Sequence, residues 1–155
     1  MSDNHKPVLR LWIELLRASN AIKKDLDARL RAEFGQSLSR FDLLSALHRA
    51  GDKGLRAGDI SDYLLVTDGA TSQLSQPLVK DGLVQRSPCP DDRRSAIFTL
   101  TPQGCVLFER MAERHSIWVA RRFEDLTDRQ VTELIALVRA IDLAPTSRQT
   151  EGELA

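Results

Sequence analysis

The chain has 155 residues, 42% of them hydrophobic and 28% charged, which is ordinary for a globular protein and long enough to build a core. No apolar stretch approaches the roughly 20 residues that cross a bilayer, and the N-terminus MSDNHKPVLR lacks a secretory signal, so we expect a cytoplasmic protein without a membrane partner. Basic and acidic residues both number 22, and two cysteines are too few for a disulfide framework.

The first third of the sequence predicts two helices. Pro7 suits a first helical turn, and apolar residues recur at helical spacing over Val8–Phe34 until Gly35 ends the pattern. Ser39 offers an N-cap for the second helix, with Asp42 three residues later.

The segment 59–101 holds the most informative pattern. A short helical pattern, a turn and a second helix precede two β-rich runs, Leu83–Ser87 and Ser95–Leu100. A tip that contains proline and aspartate joins the two runs and carries the dipeptide Arg93-Arg94. This order predicts a winged helix-turn-helix, in which a helix fits the DNA major groove and an arginine on the hairpin reaches the adjacent minor groove.

Two further helices are predicted after the hairpin. Thr101-Pro102 supplies an N-cap and a proline at the first helical position, and apolar residues follow at helical spacing. Thr127 and Gln130 form a capping box for a last helix, which Pro145 ends. The predicted fold is therefore mainly α with a small β-hairpin wing, a winged helix-turn-helix with long N- and C-terminal helices.

These long helices flank a module that is too small to cover their apolar faces. We therefore expect a two-fold dimer that places two recognition helices about one DNA turn apart. The alternative is a monomer in which the helices fold back on the module. The predicted organisation is a helical dimerisation region at 1–35 and 101–145, a winged helix-turn-helix domain at 36–100 and a flexible tail at 146–155.

Several short motifs of the chain have a characteristic combined spacing. They are Val66-Thr67-x-Gly69, Leu74, Leu78, Gly82-Leu83-Val84, Asp92-x-Arg94 and Leu100-Thr101-x-x-Gly104. This spacing resembles that of the MarR (multiple antibiotic resistance regulator) family, and with the flanking helices the similarity covers roughly residues 8–142. The resemblance implies a homodimeric, sequence-specific transcriptional regulator of double-stranded DNA, a repressor that leaves its palindromic operator when a small aromatic anion binds.

Polar side chains along the predicted recognition helix are candidates for contacts with DNA. Thr67 is the expected N-cap, and Gln73 and Gln76 suit paired hydrogen bonds with adenine. The alternative is a merely solvated helix face, and the family often has basic residues where this chain has Gln73 and Pro77. The candidate DNA-binding residues are Thr67, Asp68, Ala70, Thr71, Ser72, Gln73, Gln76, Lys80, Arg86, Asp92, Arg93 and Arg94.

Pro77 is unusual inside a predicted helix, because proline removes a backbone hydrogen bond and clashes with the preceding turn, which costs about 3 kcal/mol. We expect a kink near Gln73–Gln76 or an early end of the helix; the alternative is different packing of its C-terminal half. In the wing, we expect Arg94 to enter the minor groove, Asp92 to orient it through an ion pair, and Arg93 to lie near phosphate.

The sequence contains no catalytic constellation. The three histidines lack metal-ligand spacing, and neither a glycine-rich phosphate loop nor a nucleophile elbow is present, so we expect no enzymatic activity, metal or cofactor. Cys89 in the wing and Cys105 at a helix start leave a redox-responsive regulator as an alternative. The zero net charge leaves a winged-helix protein-interaction module as another.

The resemblance also implies an effector site between the dimerisation helices and the DNA-binding module. Such a site would hold an aromatic ring and pair its carboxylate with Arg40 or a histidine. The alternative is that the matching positions are plain core. They are Trp12, Leu16, Ser19, Lys23, Arg40, Phe41, Leu44, His48, Met111, His115 and Trp118.

Overall fold

A computed structural model describes residues 5–141, within which the chain forms six α-helices and three short strands. The predicted mainly α fold with a β-hairpin wing is confirmed. Pro145 and the predicted tail lie outside the described residues. No helix in the described range is long and apolar enough to cross a membrane. The elements are α1 (Lys6–Phe34), α2 (Leu38–Ala50), β1 (Leu55–Arg56), α3 (Ala57–Leu64), α4 (Asp68–Lys80), β2 (Val84–Cys89), β3 (Asp92–Leu100), α5 (Pro102–Arg122) and α6 (Asp128–Ala140).

The chain divides into two compact units, of which the first ends at Val119 and the second begins at Ala120. The first unit holds the sheet, helices α1 to α4 and most of α5. Its core is built by side chains that the helical and strand patterns turn inward. The fully buried members are Leu30, Leu43, Leu44, Leu47, Ile60, Leu78, Val84 and Met111.

The connection between α1 and α2 is tighter than the sequence suggested. Gly35 ends α1 in the left-handed conformation, with φ of +66°, which suits glycine because it has no Cβ. The N-cap of α2 is Ser37, whose Oγ accepts the N–H of Arg40 at 3.2 Å. The prediction of Ser39 is therefore wrong. The helix begins earlier because Asp27 of α1 accepts the N–H of Leu38 at 2.8 Å, which fixes the first turn.

The sheet has the strand order β1-β3-β2 and is antiparallel throughout. The hairpin is longer and its turn tighter than predicted, because Cys89 pairs with Asp92 and leaves only Pro90 and Asp91 between the strands. The two wing arginines therefore lie at the start of β3, in the bulge between the pairs Cys89–Asp92 and Pro88–Ala96. The sequence did not predict the strand β1. It has only two residues, Leu55 and Arg56, which pair with Phe98 and Ile97 of β3.

The end of the wing is joined directly to the start of α5. The Thr101 hydroxyl donates to the carbonyl of Gly82 at 2.7 Å and accepts the N–H of Gly104 at 3.0 Å, so it serves as the predicted N-cap. Gly104 is buried against the backbone of Leu83, where a Cβ would collide with the carbonyl oxygen. The spacing Leu-Thr-x-x-Gly therefore places a glycine where α5 packs closely against the backbone at the start of the wing.

Candidate DNA-binding interface

A buried polar contact fixes α3 against α4. The Ser61 hydroxyl donates to Asp68 Oδ1 at 2.7 Å and lies 2.8 Å from the hydroxyl of Thr71. Thr71 is only 1% exposed, so the prediction that it faces DNA is wrong. Its position follows from helical spacing, since it shares the inward face of α4 with Ser75 and Leu78. Asp68 is exposed, but its carboxylate holds the two helices together.

The outward face of α4 is a narrow polar stripe. Thr67 caps the helix as predicted, accepting the N–H of Ala70 at 3.2 Å. Positions three and four residues apart lie on one side of a helix, so the exposed residues form one line along it. We call this line the polar stripe; it consists of Gly69, Ser72, Gln73, Gln76 and Lys80.

Pro77 does not end α4. The helix continues to Lys80, and the carbonyl of Pro77 accepts the N–H of Asp81 at 2.9 Å, so the predicted early end is wrong. Pro77 is half-buried, and the next residue, Leu78, is fully buried in the core. Tertiary packing of the last turn therefore compensates for the backbone bond that proline cannot make.

The wing tip is organised by Asp92. Its Oδ1 accepts the backbone N–H of Arg94 at 2.9 Å, and its Oδ2 accepts the Ser95 hydroxyl at 2.9 Å. These two bonds, the backbone one first, lower the pKa of the Asp92 carboxyl. Asp92 therefore contacts Arg94 through the backbone N–H, and the predicted side-chain ion pair between the two is not found among the described residues. Arg93 and Arg94 are exposed.

Two clefts flank the polar stripe, one on each side. The wing cleft, of about 370 Å³, lies between α4 and the sheet. The α2 cleft, of about 510 Å³, lies between α4 and the junction of α1 with α2. The wing cleft is lined by Ser72, Ser75, Gln76, Val79, Arg86 and Phe98. The α2 cleft is lined by Arg31, Gly35, Ser37, Ser39, Arg40, Val66, Ala70, Gln73 and Leu74.

Sequence reasoning missed the α2 cleft. Ser39 was interpreted as a cap, Arg40 as an effector contact, and Arg31 was not singled out. No local pattern marks Arg31, because it approaches α4 only when α1 packs on α2. The exposed polar residues at the start of α2 were the one available signal.

The predicted effector residues separate into a buried group, an exposed group and two half-buried residues, Arg40 and His115. Four are buried in the core, namely Phe41, Leu44, Met111 and Trp118. Trp12 and Leu16 on the first half of α1 are exposed, as are Ser19, Lys23 and His48. Of the whole set, only Arg40 lines one of the two clefts beside α4. The burial of the first group matches the alternative of plain core.

Four rings of α2 and α5 form a column within the first unit. The ring of His115 stacks on Phe41 with centroids 4.5 Å apart, and Phe41 lies 5.5 Å from Phe108. The ring of His48 lies 4.7 Å from that of Phe108. Burial lowers the pKa of His115, so the ring is favoured in its neutral form.

The two cysteines are less exposed than a redox-responsive regulator would need. Cys89 was expected as an exposed wing thiol, but it is buried and only 3% exposed. Regular alternation from the buried Val84 would turn Cys89 outward, but the register shift between Pro88 and Cys89 reverses the faces at the end of β2 and is consistent with its burial. Cys105 is partly buried at the start of α5, and both thiols are free.

A helix-turn-helix with a polar outward stripe and a following cationic hairpin defines the winged-helix class of DNA-binding proteins. The model of the MarR family matches residues 34–95. A MarR family transcriptional regulator from Silicibacter pomeroyi is 34% identical, with 91% of this chain and 96% of that chain covered and a TM-score of 0.77.

Two further relatives agree. Sco3205 from Streptomyces coelicolor, a MarR family regulator solved in complex with DNA, is 27% identical, covers 97% and 95% of the two chains and has a TM-score of 0.80. The regulator PecS from Dickeya dadantii is 26% identical over 83% of this chain and 77% of its own length. The chain belongs to the MarR family of DNA-binding, winged helix-turn-helix transcriptional regulators.

Proposed function

We propose that this protein is a homodimeric regulator that recognises a palindromic DNA operator in a sequence-specific manner and represses transcription until a small ligand releases it. The observation that carries the proposal is the polar stripe of α4 beside a wing whose exposed arginines are presented by an ordered turn. A helix with this outward face suits the major groove, and the wing suits the adjacent minor groove. The DNA complex of the related Sco3205 supports this mode of binding.

Within this proposal, the residues divide the work by chemistry. Gln73 and Gln76 contact base edges, because an amide can both donate to and accept from adenine. Arg94 enters the minor groove, where a narrow, negative channel attracts a guanidinium. Contacts with phosphates position the protein and come from Thr67, Ser72, Lys80, Arg86 and Arg93.

The dimer is supported by apolar residues that the single chain leaves exposed. On the first half of α1, Trp12 is 57% exposed and Val8 is 65% exposed, and their apolar neighbours are similarly open. On α6, taken by itself, Leu134, Ile135 and Leu137 are exposed. Contiguous apolar surface of this kind marks association sites, and a two-fold dimer would give each operator half-site one recognition helix.

A ligand changes DNA affinity only by binding more tightly to one spacing of the two recognition helices than to the other. The exposed residues Trp12 and Leu16 and the half-buried His115 offer apolar and polar groups for an aromatic carboxylate. The redox alternative is disfavoured by the burial of Cys89, since reactive thiols are exposed to solvent.

The test of DNA reading begins with selection of duplexes from a randomised pool by the wild-type protein. Binding of the selected duplex is then measured by fluorescence anisotropy for the wild type, Arg94→Ala and the control Arg17→Ala. Arg17 is an exposed cation of α1 that pairs with Glu14, so the control removes the same charge outside the wing.

We expect Arg94→Ala to weaken binding about 5- to 160-fold, from the roughly 1–3 kcal/mol typical of a groove contact, and Arg17→Ala to change little. Equal binding by the wild type and Arg94→Ala would remove the wing from the mechanism. A wild type that selects no duplex and shows no salt-sensitive affinity would favour the protein-interaction alternative. A screen of aromatic carboxylates for loss of the bound duplex tests the ligand response.

A further inference from the structure

Neither the net charge of this protein nor the charge of its polar stripe explains how it would hold DNA. The whole chain has no net charge, and the polar stripe has a single cation, Lys80, at its far end. DNA affinity arises mainly from cations placed against phosphates. The affinity therefore depends on which arginines outside the polar stripe lie close to the DNA.

The α2 cleft lies on the side of α4 that faces away from the wing. Residues Ser72, Gln76 and Val79 of α4 border the wing cleft, whereas Ala70, Gln73 and Leu74 border the α2 cleft. The polar stripe therefore runs between the two clefts, and Gln73 belongs both to the stripe and to the α2 cleft.

This arrangement matches the geometry of a major groove. The groove is about 12 Å wide, and a helix with its side chains is about 10–12 Å across, so a helix that fills it has a sugar–phosphate strand along each side. The wing side offers Arg86 to one strand. The other strand passes the opposite side of α4, where the α2 cleft opens.

The α2 cleft has the chemistry of a phosphate site. Arg31 and Arg40 provide two guanidinium groups, and Ser37 and Ser39 provide hydroxyls. Arg31 donates through Nε to Asp27 at 2.7 Å, which fixes its stem and leaves both terminal nitrogens for another acceptor. Arg40 makes one long contact through Nη1, of 3.4 Å, to Gln36.

Other groups at the cleft are already engaged. Asp27 accepts hydrogen bonds from the Arg31 side chain and from the N–H of Leu38. Both bonds lower the pKa of its carboxyl, the Arg31 bond more strongly. Asp27 therefore remains charged and offsets one guanidinium. Ser37 accepts the N–H of Arg40 at the helix start. The contacts to a phosphate therefore fall to the two guanidinium groups and to the exposed hydroxyl of Ser39.

We propose that Arg31 and Arg40 form a second phosphate-binding surface, which holds the DNA strand on the side of the recognition helix opposite the wing. The proposal rests on the DNA-binding function proposed above and extends it to residues outside the recognition helix and the wing. It accounts for DNA binding by a chain without net charge, since cations then meet both walls of the major groove. It also makes α1 part of the DNA interface.

The experiment compares the double variant R31A/R40A with the matched control R17A/R49A. Arg17 and Arg49 lie on the same two helices as the pair, about 21 Å and about 13 Å along the helix axes from Arg31 and Arg40, beyond the screening distance of about 8–10 Å. Arg49 stacks over Tyr63. Affinity for the selected duplex and for a scrambled duplex is measured by anisotropy at several salt concentrations, with circular dichroism to verify folding.

We expect R31A/R40A to flatten the slope of log affinity against log salt by about two per protomer, because each lost phosphate contact removes about 0.9. The ratio of affinities for selected and scrambled duplexes should stay unchanged, since phosphates carry no sequence information. R31K/R40K should retain most of the slope, as lysine keeps the charge. The control should keep the wild-type slope.

Three outcomes overturn the proposal. A wild-type slope for R31A/R40A excludes phosphate contacts in the α2 cleft. An equal loss in R17A/R49A reduces the effect to overall charge. Loss of thermal stabilisation by benzoate in R31A/R40A, with the slope retained, makes the cleft a site for small anions instead. Failure of the wild type to bind any duplex is a different result, because it rejects the DNA-binding function itself.

Discussion

At the scale of single residues, Asp92 acts on the backbone of the wing and not on an arginine side chain. Its two oxygens accept from the N–H of Arg94 and the hydroxyl of Ser95, which closes the turn after Asp91. The benefit to DNA binding is therefore indirect. Asp92 holds the start of β3 in one conformation, so Arg94 loses less conformational freedom when it enters a groove.

This role predicts different effects for two adjacent aspartates. Asp92→Ala should weaken binding of the selected duplex about threefold to tenfold, because the turn loses both side-chain bonds. Asp91→Ala removes the same negative charge from the turn but none of these bonds, and should leave affinity unchanged or slightly higher. Anisotropy titrations measure the affinity of both variants for the selected duplex. An equal change in affinity for both would mean that only the charge is important.

His115 predicts a pH dependence of stability. Burial lowers its pKa in the folded state, so the unfolded chain, with a pKa of about 6.5, binds the proton more readily. The contribution of His115 to the free energy of unfolding is fully present above pH 6.5. It is lost as the pH drops from there through the folded pKa. His115→Phe, which keeps a ring on Phe41, should flatten this part of the profile.

The measurement is urea unfolding of the wild type and the variant from pH 5 to pH 8. His48→Phe, at the other end of the ring column, is the control and should retain the decline. A profile for His115→Phe that matches the wild type would assign the decline to other groups. Asp42 is not one of them, because burial raises its pKa against the opposing charge of Lys23, and a carboxyl with a raised pKa makes stability rise as the pH falls.

At the scale of elements, the contact of α5 with the end of the wing depends on Gly104. Because a Cβ at this position would collide with the carbonyl of Leu83, Gly104→Ala should lower the free energy of unfolding by about 1–3 kcal/mol or more. Gly58→Ala in α3 is the matched control, since its Cβ would meet no atom within 4 Å. It should leave stability unchanged or raise it by about 0.5–1 kcal/mol. Chemical denaturation distinguishes the two, and equal stability would contradict the close approach.

The recognition helix shows how packing overrides a local preference. Proline at position 77 disfavours a continuous helix, yet α4 reaches Lys80, because Leu78 is anchored in the core and the first turn is anchored through Asp68 and Thr71 to α3. Both ends of the helix are thus held by tertiary contacts. Bases would be read by Gln73 and Gln76, which lie before the proline.

At the scale of the whole molecule, the exposed apolar face of α1 predicts a dimer that forms through Trp12. Trp12→Ser would remove roughly 1.5–3 kcal/mol of apolar burial per protomer, so the dimer should dissociate at least 100-fold more readily. Leu65→Ser is the control, because Leu65 is 91% exposed in the turn before α4. Sedimentation velocity over a concentration series measures the change. A wild type that stays monomeric, or an equal effect of both variants, would reject this face as the interface.

Much of the architecture could be predicted from local signals. The caps at Thr67 and Thr101, the stop at Gly35 and the capping box of Thr127 each depend on neighbouring residues only, and each is confirmed. The strand β1 could not be predicted, because a two-residue strand exists only through its pairing with β3. The division into dimerisation and DNA-binding regions and the effector site stay predictions.

By itself, the sequence determined the class of protein: helical periodicity, caps and the motif spacing are local properties that specify a winged helix-turn-helix of the MarR type. Only the tertiary structure decided which polar residues remain available to DNA. It buries Thr71 and Cys89, engages Asp92 with the backbone, and brings Arg31 and Arg40 beside α4. The physical reason is that exposure and proximity depend on how elements pack, and residues far apart in the chain carry no local trace of that packing.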